Sequence, residues 1–438
     1  MARFYTTRQI LLRGDKTIVV PQGIYTAATV NPPSSGTRDR RLHPFPADDP
    51  FNMPIGVDAV YAPTTDPATA WLIQGGGEFN VNNGWSHPVY ISTAADPVHT
   101  HSMNTASSSV DGANVRSYRA NENGQLSLTE YLSSSAVEAY PSNNPGYWDG
   151  HLHIYYQNEI VEFWGWKRLS STSGNARKIV RNRLDHYAFG YGNVKLENGS
   201  WEWRSVDNDP LRNTHGVRAW GGPGTAGLIR EHELQGPNPH IPHALTIQIR
   251  SCQGITGWRQ GNPDSPAYDF PFIFPATAND YGFSTTGQYP DGRFGYSITT
   301  TYSAIRMGMK FALDPTICTD DWILSNAPLL ADGSKNMVQV AVAKAMRDYG
   351  VYVSDDGPSR HSIAAQEYMD NSLANMLKNN GNHYQWLVPH LRRVAGRTST
   401  GSVVQVPLQS HWEFWKANGQ GWGGGAPRVP YSLPLAPL

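Results

Sequence analysis

A mainly β fold, a sandwich or jelly roll with a few helices packed in the C-terminal third, is what this sequence predicts. Three observations carry that expectation. Charged residues are only 16% of the 438 residues, against roughly 25% in an average soluble chain. There are 42 Gly and 32 Pro, together above the usual share of roughly 12%. Short apolar or alternating segments bounded by turn residues recur between residues 55 and 310, among them "AVYAP", "WSHPVYIST", "HLHIYYQ", "IVEFWGW", "HALTIQIRS" and "FGYSITTTYS". Many short strands joined by turns read as all-β.

In chain order, residues 1–47 read as an N-terminal arm and linker, with "KTIVVP" as a strand and the Pro-rich stretch after residue 31 as a connector. Residues 48–360 read as the β core, carrying surface loops such as "NTASSSVDGANV". Helical signals come late. "NMVQVAVAKAMRDYG" puts Met337, Val340, Ala341, Lys344 and Ala345 near one face, with Gly350 suited to the C-terminal cap. "VYVSDDG" then returns as a strand. "SIAAQEYMDNSLANMLKNNG" reads as a second helix and "QWLVPHLRRVAG" as a third, kinked at Pro389. Together they predict a helical segment over 361–398, followed by a Gly- and Pro-rich extended tail over 399–438.

Several function classes are disfavoured. A net charge of −1 gives no electrostatic case for nucleic acid or an anionic membrane surface. No run approaches the ~18 apolar residues of a membrane span. The N-terminus offers no apolar run longer than "ILL", so no signal peptide is read there. An extracellular or virion location is the expectation, reached after removal of a signal or as part of a particle. Cys252 and Cys318 are too few for a disulfide framework, and whether they pair stays open. There is no GxSxG elbow and no phosphate-binding glycine spacing.

The stretch "WDGHLHIYYQNEIVEFWGW" carries most of the chemistry. Read in steps of two, Asp149, His151 and His153 fall on one side of a strand. With an even-numbered turn they share that side with Glu162, Trp164 and Trp166, while Val161 and Phe163 face the other way. One face then packs the core and the other forms a polar and aromatic platform. The 14 Trp and 22 Tyr fit partly exposed rings that stack on sugars. Two carboxylates flanking a glycosidic bond suit hydrolysis; elimination asks for a His or Tyr base and a cation against a uronate. The plainer reading has Asp149 capping a turn and the histidines facing water.

A second segment, "RAWGGPGTAGLIREHELQGPNPHIPHALTI", offers Arg230, Glu233 and His243. Its glycines suit a close backbone approach. The catalytic candidates are therefore Asp149, His151, Glu162, Glu233 and His243, with Trp164, Trp166 and Arg230 against substrate. His99 with His101, and His151 with His153, are His-x-His pairs that point both rings to one side of a strand. They are the metal candidates, for calcium or zinc.

"DDPFNMPIG", the hairpin phrase, "GGPGTAGLIREHEL", "HAL", "MGMKFAL" and "AKAMRDYGVYVSDDG" occur in that order over residues 48–360. Together they resemble a family of mostly secreted, β-rich bacterial and fungal proteins with DGH…EFW, GGLIR…E…HAL and YGxxVxDxG phrases. By position the resemblance implies roles for Asn52, Asp149, His151, Glu162, Trp164, Arg230, Glu233, His243 and Asp355. It does not extend to His99, His101 or His153. The additional ends at both termini depart from that pattern and suit attachment to a larger assembly.

The resulting expectation is an extracellular or virion-associated protein that cleaves or binds polysaccharide, as a glycoside hydrolase or polysaccharide lyase if it is an enzyme. The alternative is a non-enzymatic structural or adhesive component such as a phage tail or fibre protein, as a homo-oligomer or within a larger particle.

Overall fold

The computed structural model describes residues 8–13, 16–21, 42, 44, 51–52, 54–55, 59–74, 79–81, 86–103, 127–136, 150–156, 159–176, 178–183, 193–195, 201–203, 217–218, 220, 222–250, 276, 305, 307–357, 361–379, 383–399 and 402–405. Among them the chain is mainly β, with mixed sheets and five α-helices. Asp149, Cys252, the "FGYSITTTYS" segment and the tail beyond 405 lie outside the described residues.

The largest sheet runs in the order Ser402–Gln405, Leu391–Ser399, Lys310–Leu313, Val351–Gly357, Leu245–Arg250, His361–Ile363, Phe79–Val81, with Ala59–Tyr61 also paired to Leu391–Ser399. At its centre Leu245–Arg250 and Val351–Gly357 are parallel. Parallel strands are covered on both faces, and Leu245, Ile247, Ile249, Val351 and Val353 have no exposed surface. The strand expected from "VYVSDDG" is this central one. Pairing steps from Ile247↔Val353 to Gln248↔Asp355, so Ser354 is the extra residue of a β-bulge. Bulges re-aim side chains beside sites, and this one turns Ser354 and Asp355 toward Arg218.

The Met337–Asp348 helix packs beside Lys310–Leu313. The Asn336 side chain accepts from Gln339 N at 3.2 Å and caps its start. Gly350, at φ 81°, follows its last turn as the sequence predicts. The helix is buried on nearly every side, not along a single stripe; Met337 and Lys344 are its outward positions.

The helical segment expected over 361–398 is mostly not helix. His361–Ile363 and Leu391–Ser399 are strands of the large sheet, so the β core continues past residue 360. Between them lie the helix Asn371–Lys378, capped by Asp370 on Ser372 N and Leu373 N, and one 3-10 turn at Val388–His390. "KTIVVP" forms the second strand of a hairpin, Arg8–Arg13 with Lys16–Pro21.

A four-stranded sheet carries the histidines, in the order Lys178–Arg183, Glu159–Trp164, Leu152–Tyr156, Val89–Ile91. A second one is ordered Lys167–Ser170, Ser173–Ala176, Val98–Met103, Ser127–Tyr131. Leu152, Ile154, Val161, Phe163, Trp166, Ala176 and Ile179 form a separate small core with these sheets. Tyr155 and Ile160 belong instead to the main core. The histidine sheet is thus covered on both faces, by two different cores. Cys318 is a buried free thiol. Among the described residues no helix is long and apolar enough to cross a membrane.

Lys310 is a costly feature of this core. Its amine is buried without a hydrogen-bond partner, 4.8 Å over the Tyr352 ring. A cation–π contact returns ~0.5–2 kcal/mol, less than the several kcal/mol that desolvating an ammonium costs. Burial accordingly pushes its pKa down to about 7. Between pH ~7 and ~10.4 the unfolded chain holds a proton that the folded chain has lost, so this residue makes stability rise with pH across that window. Lys310→Met keeps the apolar stem and removes the amine. Urea unfolding at pH 6 is expected to show a gain of roughly 1–3 kcal/mol, shrinking toward pH 10. An equal or lower stability at pH 6 would mean that the amine is compensated.

Candidate functional site

The hairpin register is the one that alternation predicts. Tyr156 pairs with Glu159 and His153 pairs directly with Glu162. The expected grouping of His151, His153 and Glu162 is therefore present, but the face is closed. His153 and Glu162 have no exposed surface and His151 has 4%. What covers them is the glycine-rich segment, buried from Gly222 to Arg230.

The contact is direct. Gly224 N–H donates to Glu162 Oε1 at 2.7 Å. A Cβ at Gly224 would stand 2.2 Å from His153 Cε1 and 3.0 Å from His87 Nδ1, so no larger residue fits. The Tyr155 hydroxyl donates to Thr225 Oγ1 at 3.0 Å, and the Arg230 guanidinium lies 5.5 Å over the Tyr155 ring. Two stretches read separately from the sequence thus form one polar cluster.

Sequence reasoning missed two of its central members. His87, just before the Val89–Ile91 strand, places Nδ1 2.7 Å from His153 Nε2. Arg218 donates to His87 Nε2 at 2.5 Å and to Ser354 Oγ at 3.1 Å, and lies 3.6 Å from Asp355 Oδ2. Neither carries a local signal: strand pairing brings Val89 beside His153, and so His87 beside a ring 66 positions further along the chain. A guanidinium only donates. Neutral His87 therefore accepts at Nε2, donates from Nδ1 to His153 Nε2, and leaves the His153 proton on Nδ1, 3.1 Å from Glu162 Oε1. That last contact has the right length but an off-axis direction, and His151 Nδ1 and Glu162 Oε2 are also buried without a hydrogen bond.

Burial, with the charges of neighbouring histidines and Arg218, holds His87 and His151 well below the ordinary histidine range. Neutral imidazoles are the form that binds metal. The His87, His151 and His153 nitrogens lie within 4.8 Å of one another, a set able to hold a metal ion. Burial also pushes the Tyr155 hydroxyl up to about 12.

The other predicted residues fall elsewhere. Trp166 is not part of a sugar platform. Gly165, at φ 62°, breaks the two-residue alternation and sends Trp166 into the small core, where its indole donates to His101 Nδ1 at 3.0 Å. Trp164 is half-buried against Val217. His99 and His101 are spent on Arg168 and Trp166, and burial drives His101 down to about 3. They do not join the His151 and His153 set. Asn52 is half-buried beside Phe51, which packs on Trp220 and Tyr352.

Glu233 and His243 do meet. Glu233 Oε1 lies 2.8 Å from His243 Nε2, while His243 Nδ1 lies 2.8 Å from Ala244 O. Both partners only accept, so the ring carries two protons and the pair is imidazolium with carboxylate. Glu233 Oε2 also accepts from Arg230 N at 2.7 Å. Burial pulls both groups toward neutrality, but mutual attraction and these hydrogen bonds win: Glu233 is lowered and His243 raised.

No family model, curated protein or solved structure matches the chain.

The Glu233–His243 pair has a defined pH window. Its contribution is full between the ordinary values of ~4.3 for Glu and ~6.5 for His. It is lost as pH falls through the lowered Glu233 pKa and as pH rises through the raised His243 pKa. Glu233→Gln or His243→Asn alone should cost roughly 3–5 kcal/mol near pH 6, since each strands a buried partner. A double-mutant cycle should show strong coupling at pH 6 that fades above the His243 pKa. Additive losses would show that the two are uncoupled.

Proposed function

We propose that this chain acts on polysaccharide, as a secreted or virion-associated glycan-active protein, at the edge where residues 229–243 meet residues 364–368. One observation carries the reading. Tyr368 is 52% exposed and has a left-handed φ of 58°. It stands two residues from Gln366, whose Oε1 accepts from Arg230 Nε at 3.0 Å and from Glu231 N at 3.4 Å. A left-handed tyrosine costs on the order of 1–3 kcal/mol, and such strain gathers at functional sites. An outward ring is a face on which a sugar can stack, and the half-buried Gln366 amide two residues away offers a polar group for its hydroxyls.

The phrases that resemble the secreted β-rich family supply Arg230, Glu233 and His243 to this edge. His243 keeps 14% of its side chain exposed there, held in place by Glu233 and Ala244 O. Glu162, wholly buried, stands behind the edge as support. Of the two cations left open, the donor set favours zinc, because calcium takes oxygen ligands and this cluster offers imidazoles.

A second reading has its own observation. Ile317, Leu324, Leu329 and Met337 are 37–56% exposed and close in sequence, which favours assembly of a structural or adhesive component.

Incubation with a broad polysaccharide panel, followed by reducing ends and unsaturated-uronate absorbance, tests the first reading and separates hydrolysis from elimination. Binding to at least one member is expected, weakened roughly 2–10-fold by Tyr368→Ala. Neither product nor retardation in affinity electrophoresis, with a large fixed mass by light scattering, would favour assembly instead.

A further inference from the structure

We propose that His87, His151 and His153 form a buried zinc-class site that pins the 217–230 segment to the hairpin. The inference goes beyond the glycan reading and does not rest on it.

Three features point to an ion. The three side chains converge from two parallel neighbouring strands, with nitrogens within 4.8 Å of one another and no more than 4% exposure. His151 Nδ1 is buried with no hydrogen-bond partner among the described residues, a costly state that coordination at that nitrogen would relieve. Glu162 Oε1 stands 3.1 Å from His153 Nδ1, the position of the carboxylate that commonly orients a metal-bound histidine and fixes its tautomer. With the three imidazoles neutral, Glu162 and Asp355 outweigh Arg218 and leave the neighbourhood negative, which favours a cation.

The geometry also says what must move. His87 Nδ1 and His153 Nε2 are 2.7 Å apart, whereas two nitrogens on a tetrahedral ion with ~2.05 Å bonds sit roughly 3.3 Å apart. Entry of the ion therefore spreads these rings by about 0.6 Å on that estimate and ends their mutual hydrogen bond. The His87 proton passes from Nδ1 to Nε2. Arg218, which cannot accept it, gives up Nε2 and closes its 3.6 Å gap to Asp355. Ser354, on the bulge, keeps its hold on the other guanidinium nitrogen. No proton is released from the cluster by this exchange. The three side chains supply three ligands, and a water completes the set.

Metal content of tag-free full-length protein, followed by chelation and readdition of ZnCl2 or CoCl2, tests the site. About one equivalent of metal is expected. Chelation should lower the melting temperature by several degrees and ZnCl2 should restore it. Cobalt should give the intense visible absorbance of a tetrahedral nitrogen site. His151→Phe should fold yet lose the metal and the zinc-dependent shift, and Glu162→Gln should weaken binding roughly 10–100-fold. Should His151→Phe misfold, the cobalt spectrum of the unaltered chain still decides. Absence of metal together with no zinc-dependent melting shift, or a shift unchanged in His151→Phe, would overturn the proposal. None of these readouts involves sugar, so a negative glycan panel leaves the outcome untouched.

Discussion

A carboxylate with no exposed surface sets the terms for this molecule. Glu162 lies on the face that the histidine sheet presents to the main body, and an unsatisfied anion there would cost several kcal/mol. Where that sheet docks, the main body brings a backbone N–H to it, from Gly224 at 2.7 Å. The demand then spreads. Position 224 must lack a Cβ, because His153 and His87 occupy the space. His153 must carry its proton on Nδ1, which fixes His87, which requires a donor such as Arg218. Arg218 in turn is steadied by the bulge at Ser354 in the central strand. One buried charge thus ties the hairpin, the glycine-rich segment and the large sheet into one arrangement.

The same residue types reach opposite protonation states a short distance apart. His243 is doubly protonated because both its nitrogens face groups that only accept. His87 is neutral because one nitrogen faces a guanidinium, which only donates, and burial adds to the effect. The difference lies in what surrounds each ring. A site that keeps three imidazoles neutral is chemically disposed toward a metal. A site that keeps one imidazole charged is a fixed ion pair.

How much of this was legible in the sequence depends on the distance over which each rule acts. The hairpin register followed from alternation alone, because a one-residue slip would bury Glu162 among Val161 and Phe163's partners. Alternation could not say which face meets water, and here both faces are covered. Double covering also explains the false helix at "LRRVAG". Leu391 joins the main core and Val394 joins a separate cluster with Ile55 and Ala312. On a strand these residues point to opposite faces, yet their spacing of three mimics a helical stripe. Trp166 was misassigned by a single residue, since Gly165 resets the count. His87 and Arg218 carried no local signal at all; their roles come from pairing between distant segments.

The glycines of the 222–230 segment suit a close backbone approach. In the fold they allow buried backbone to lie against two histidines at one end, while Arg230 and Gln366 stand at the other. Between these ends the chain is fixed by Thr225 on Tyr155 and by Ile229 N–H on Ala364 O at 3.1 Å. Tyr155 has the Arg230 guanidinium over its ring and sits on the same strand as His153, two residues along. The His153 ring is therefore linked to Arg230 by two chains of contact, through Gly224 along the segment and through Tyr155 across it. Close packing leaves little slack along either of them. The segment, with nine consecutive buried residues from Gly222 to Arg230, thus spans from the buried histidines to the edge that holds Gln366 and Tyr368.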